Sequence, residues 1–93
     1  MAESKPKINK KKCVHVFVGN LSYSATVNQL QEVFQNCGNI VSVKIATHSD
    51  NGTSRGFGFI EFENNDGVIG AIKLSGTEIN ERKIRVDYYF PNH

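Results

Sequence analysis

Apolar and polar positions alternate where Val14, Val16 and Val18 interleave with His15, Phe17 and Gly19. A period of two predicts a β-strand at about 14–19 with the valines on its buried side. The period then lengthens. Leu30, Val33, Phe34 and Cys37 recur at helical spacing, and Thr26 stands three residues before Gln29, as in a capping box. Gly38 falls where a helix C-terminus takes a residue tolerant of positive φ. Alternation returns at about 40–46, setting Val41, Val43 and Ile45 against Ser42 and Lys44, and Asp50-Asn51-Gly52 makes a loop tip. A third strand is predicted at about 55–63. A second helix follows near 65–74 on Val68, Ile69, Ile72 and Leu74, weakened by Gly67 and Gly70. A fourth strand at about 83–88 alternates Ile84 and Val86 with Lys83, Arg85 and Asp87.

The order is β-α-β-β-α-β. It predicts an α+β fold of the split βαβ, ferredoxin-like kind: a four-stranded antiparallel sheet with two helices on one face. The other face then meets water and is the candidate site. Residues 1–12 read as a flexible lysine-rich arm, 13–90 as the folded domain and 91–93 as a C-terminal tail.

The third strand departs from simple alternation. One side carries Arg55, Phe57, Phe59 and Glu61; the other carries Gly56, Gly58, Ile60 and Phe62. Either register leaves two large apolar residues in water. Burying the first set would also sink two charged groups, at roughly several kcal/mol each unless paired. The expected register therefore buries Ile60 and Phe62 and exposes Phe57 and Phe59. Phe17 joins them, because the valines of its strand claim the inner side. Three exposed rings on neighbouring strands form a patch that a soluble domain does not normally leave without use. Lys44, Arg55, Lys83 and Arg85 surround the rings. Bases stack on such rings, and phosphates meet such cations.

The same residues carry a family likeness. Arg55-Gly-Phe-Gly-Phe-Ile-Glu-Phe62 resembles the eight-residue ribonucleoprotein motif of RNA recognition motif domains, with Ile60 in place of valine. Val16-Phe-Val-Gly-Asn-Leu21 resembles the six-residue companion motif of the first strand. The likeness extends over about residues 14–88, and Lys83-Ile84-Arg85-Val86-Asp87-Tyr88 is similar to the fourth strand of nucleolin-like and translation-factor members. It implies that Phe17 stacks one base and Phe59 the next, that Phe57 lies against the sugars, and that Arg55 pairs with a backbone phosphate. His15, Lys44 and Arg85 are then placed to read base edges. Tyr88 is a further candidate, with Tyr89 as its alternative, because the Tyr88-Tyr89-Phe90-Pro91 tail could extend the stacking platform, fold back over Phe17 or pack on the core. Thr47 to Ser54 contains no lysine or arginine, so phosphate clamping by that loop is not expected.

Composition narrows the field. Ninety-three residues allow one modest core, burying roughly 60% of the unfolded surface. Apolar residues at 39% and charged residues at 22% are globular values. No apolar run reaches the ~20 residues that span a bilayer, and the first residues do not resemble a secretory signal, so no membrane role and an intracellular setting are expected. Cys13 and Cys37 are too few for a disulfide framework; Cys37 reads as a small buried hydrophobe. The net charge of +2 divides into +4 for residues 1–12 and −2 for the rest, so the folded part must gather its cations on one face.

No histidine pair has metal-ligand spacing, and no nucleophile, base and carboxylate set stands together, so no cofactor, metal or catalytic residue is expected. The expected partner is single-stranded RNA, with single-stranded DNA as an alternative, bound by a monomer over roughly two to four nucleotides. A protein-binding variant of the fold is the main rival. Nuclear residence ranks ahead of cytoplasmic.

Overall fold

In the computed structural model, residues 14–90 are described. The elements are β1 (His15–Gly19), α1 (Val27–Phe34), β2 (Ile40–Thr47), β3 (Ser54–Phe62), α2 (Asn65–Ile72), β4 (Glu78–Ile79), β5 (Arg82–Lys83) and β6 (Arg85–Tyr89). Four strands form one antiparallel sheet in the order β2-β3-β1-β6; β4 and β5 pair separately as a small hairpin. The β-α-β-β-α-β expectation therefore holds, with a hairpin added before the last strand. The lysine-rich arm, Cys13 and the tail at 91–93 lie outside the described residues.

Both helices are fixed by local chemistry. At α1 the capping box is closed: the Gln29 amide donates to Thr26 Oγ1 at 3.1 Å, and the Thr26 amide donates to Gln29 Oε1 at 3.0 Å. At α2 the Asp66 amide donates to Asn64 Oδ1 at 3.1 Å, with Asp66 in the favourable first turn. Leu30 and Phe34 of α1, and Val68 and Ala71 of α2, bury themselves against Val16, Val18, Ile60, Phe62, Ile84 and Val86. Both helices thus cover one side of the sheet. Ile60 and Phe62 point into this core, as the charge argument required.

Four expectations change. Alternation places Val41 on the inner side of β2, yet it is 58% exposed. Ile40 pairs with Phe62 and Ser42 with Glu61, so Val41 is the extra residue of a bulge and Ile40 packs inward. Gly38 has φ 166, which is extended backbone rather than the left-handed region. What it provides is clearance, because a Cβ there would stand 2.8 Å from the Gly67 Cα. Gly67 in turn lies on the Phe62 ring, where an added Cβ would meet Cδ1 at 2.4 Å. The helix-weakening glycine at position 67 is therefore the point where α2 descends onto the core.

The second helix is also shorter than expected. It ends at Ile72, which leaves Leu74 in a following turn, and within the helix Ile69 faces solvent. Finally, the fourth strand starts at Arg85 rather than 83. Asn80 and Glu81 both have positive φ, 52 and 71, and turn the β4–β5 hairpin between Ile79 and Arg82.

Candidate functional site

Cross-strand register lays out the uncovered face in rows. Lys44 pairs with Phe59, Phe59 with Phe17, and Phe17 with Asp87, giving one row across all four strands. The neighbouring row is Ser42, Glu61, His15 and Tyr89. On the other flank, Arg85 pairs with Gly19, beside Phe57. The three phenylalanines occupy the two central strands together with Glu61, His15 and Arg55, while Lys44, Arg85 and Asp87 lie on the outer strands beside them.

The three phenylalanines form one cluster. Ring centres are 5.7 Å apart for Phe17 and Phe57, 5.8 Å for Phe17 and Phe59, and 5.9 Å for Phe57 and Phe59. All three are half-buried, packed on one another and, at Phe59, on the Tyr89 ring. Gly19 makes room for Phe17: a Cβ at Gly19 would stand 2.7 Å from Phe17 Cε2. The ring can therefore lean over its own strand only because position 19 has no side chain. Arg55 is exposed, with its guanidinium carbon 5.5 Å from the Phe57 ring centre, in cation–π reach. A shallow cleft of about 370 Å³ opens beside Phe17 and Phe57, with Arg85 and Asp87 on its wall.

Other singled-out residues fall less uniformly. His15 is on the face, with Nε2 3.9 Å from Glu61 Oε1. Lys44 and Arg85 are on the face and exposed. Lys83 belongs to β5, outside the four-stranded sheet. Tyr88 is on the opposite side from the rings. It pairs with Val16, packs against the core and stacks on Phe90 at 6.4 Å, because Val86 already faces inward and the strand alternates. Tyr89 holds the face instead, its ring centre 4.4 Å from that of Phe59. Counting on by twos from Arg85 and Asp87 would have found it.

The face also contains two carboxylates, Glu61 and Asp87, within the rows of rings. Next to a polyanion they disfavour phosphate at the sheet centre and can accept hydrogen bonds from base amino groups. Among the described residues, no three His, Cys, Asp or Glu side chains gather as a metal site. A cleft of about 700 Å³ lies at the start of α1 beside the β2–β3 loop, away from the rings and without a lysine, arginine or carboxylate in its lining.

Residues 16–85 match the RNA recognition motif family. This chain belongs to it. In this RNA recognition motif domain the stretch Arg55–Phe62 lies within β3, and Val16–Leu21 runs from β1 into the following loop.

The domain is 48% identical over 71 residues to RNA-binding protein 34 of Rattus norvegicus, which covers 76% of this chain and 17% of that protein. It is 40% identical over 72 residues to Nucleolin 1 of Oryza sativa subsp. japonica, covering 77% and 12% respectively. The chain thus spans less than a fifth of these relatives. Among solved structures it is similar to the RNA15 RRM, with TM-score 0.80, 25% identity, and coverage of 86% of this chain and 93% of that one. It is likewise similar to the Sxl-lethal protein in its RNA complex, with TM-score 0.80, 26% identity, and coverage of 87% and 49%.

Proposed function

We propose that this domain, as a monomer, binds single-stranded RNA across the open face of its sheet. The observation that carries the reading is the cluster of Phe17, Phe57 and Phe59 on the side that neither α1 nor α2 covers, flanked by Arg55, Lys44 and Arg85. One base stacks on Phe17 and the next on Phe59. The sugars between them lie against Phe57, and Arg55 meets a phosphate. Glu61 and Asp87 favour bases over phosphates above the central strands. Each stack contributes roughly 1–3 kcal/mol, so two stacks and a few phosphate contacts give binding of about micromolar strength. The reading is one of recognition, without a chemical step.

Family membership and the likeness to a protein–RNA complex support this reading. Similarity to a nucleolin and to Nucleolar protein 13 supports nuclear residence. The test is a fluorescence titration of the chain with an unpaired oligoribonucleotide of mixed sequence, beside heparin as a polyanion without bases. Phe17→Ala should weaken RNA binding by roughly 5- to 100-fold, the range of one lost stack, and leave heparin binding unchanged. Equal effects on both ligands would mean that charge alone drives association. A deoxyribonucleotide of the same sequence measures what the 2′-hydroxyl adds.

A further inference from the structure

Past Phe57 the open face continues into a second cleft of about 560 Å³, between the β1–α1 loop and the β4–β5 hairpin. Tyr23, Arg55 and Arg82 line it, with the hydroxyls of Ser22 and Ser24, and no acidic side chain does. It shares Asn20 and Gly56 with the cleft beside Phe17 and Phe57, so a chain lying on the sheet can pass from one into the other.

Two features make this more than a gap between loops. Tyr23 is 77% exposed, yet its ring is seated. A Cβ at Gly56 would stand 3.2 Å from Tyr23 Cε1, so one edge of the ring rests on β3 while much of the side chain stays open to solvent. Gly56 has φ +87, so this seat depends on glycine twice over. Arg82 is oriented as well. Its Nη2 donates to Asn20 Oδ1 at 2.6 Å and its Nε to the Asn20 carbonyl at 3.4 Å. Asn20, at φ 56, also donates through Nδ2 to the Lys83 carbonyl at 2.7 Å and so ties the hairpin to the end of β1. These bonds involve two of the five guanidinium donors and go to a neutral partner, so the positive charge is aimed but not neutralised.

We propose that this cleft is a further nucleotide subsite: Arg82 holds the backbone phosphate that follows the one met by Arg55, and Tyr23 stacks the next base. The inference rests on the sheet reading above and extends it past the sheet edge. A ring beside two arginines, joined to a ring-lined face, suits the next unit of the same ligand, with a planar base and a phosphate at each repeat. Arg82 and Tyr23 lie far apart in sequence; the bonds of Arg82 to Asn20, the Asn80 Nδ2 bond to Ser24 Oγ at 3.1 Å and the seat on Gly56 bring them to one place.

The test compares mixed-sequence oligoribonucleotides of about three and about six nucleotides, titrated into the full chain, since only the longer can reach past the sheet. Tyr23→Ala and Arg82→Gln should each weaken the longer ligand, Tyr23→Ala by roughly 5- to 100-fold, and leave the shorter within about twofold. Tyr23→Phe should restore the longer ligand's affinity. Arg82→Gln should also flatten the salt slope for the longer ligand by about 0.7. Because the Tyr23 ring is mostly in solvent, the melting temperature of Tyr23→Ala should match wild type. No loss on the longer ligand, or equal loss on both, overturns the subsite and leaves the sheet reading intact. If wild type binds neither length, or Phe17→Ala affects neither, the sheet reading fails and the subsite falls with it.

Discussion

The ring of Tyr89 lies on that of Phe59, centre to centre at 4.4 Å and tilted by 37°. Tyr89 pairs with His15 on β1, yet its ring reaches across that strand to a residue of β3. In the free domain it therefore covers part of the surface on which a base would stack. On the proposed stacking of a base at Phe59 the exchange would favour RNA, because an aromatic pair contributes about 0.5–1.5 kcal/mol beyond its buried area against ~1–3 kcal/mol for a base stack. Tyr89→Ala should bind an unpaired oligoribonucleotide roughly 2- to 10-fold more tightly in an anisotropy titration, by removing that competitor. Weaker binding would show instead that Tyr89 stacks on the base itself.

Salt should matter only moderately. Arg55, Lys44 and Arg85 supply the cations of the face, while Glu61 and Asp87 oppose them. With about two to four phosphate contacts on a single strand, log K should fall against log salt with a slope of about −1.5 to −3. The affinity measured over a salt series checks this. A much steeper slope would assign the dominant contact to the lysines of residues 1–12.

The β-α-β-β-α-β order and the outward rings of Phe57 and Phe59 were legible because they follow from period and charge. A strand bearing Arg55 and Glu61 on the same side as two rings has one affordable register. What the sequence hid arises where one residue shifts the period or where distant loops meet. Val41 continued a clean alternation, and nothing local announced the bulge that turns it outward. Ile79 alone could not announce a strand of two residues. Tyr88 and Tyr89 are both candidates by composition, and the alternation of Val86 with Arg85 and Asp87 is what decides for Tyr89. The cleft shared by Tyr23 and Arg82 depends on a hydrogen bond between residues 62 positions apart, which no local pattern encodes.

Gly67 offers a test of packing free of the ligand. Alanine there would gain about 1 kcal/mol of helix propensity. Its Cβ, however, would lie 2.4–2.9 Å from the Phe62 ring and its Cβ, atoms that cannot swing away. Overpacking of this kind costs roughly 1–3 kcal/mol, so Gly67→Ala should lower the melting temperature by several degrees. Gly70→Ala meets Cys37 Cβ at a looser 3.2 Å and should cost less. Calorimetry on the two variants gives the comparison, and equal melting temperatures would mean that α2 shifts freely over the core.

Burial pushes the Cys37 thiol pKa up. The folded state thus holds its proton more tightly than the unfolded chain. This contribution to stability is complete below the ordinary thiol range and is lost as pH rises through it and on through the raised folded value. Denaturant melts at rising alkaline pH should show wild type losing stability faster than Cys37→Ser, which has no such proton to release. Parallel curves for the two proteins would contradict it.

The account depends on rings that are open to a ligand because the helices occupy the other side of the sheet. The most direct measurement follows the side-chain proton resonances of Phe17, Phe57 and Phe59 by NMR as an unpaired oligoribonucleotide of mixed sequence is added. The expected result is ring-current shifts concentrated on these three residues, with Leu30, Phe34 and Val68 of the helix-covered side unmoved. Saturable binding that leaves all three rings unshifted would contradict it.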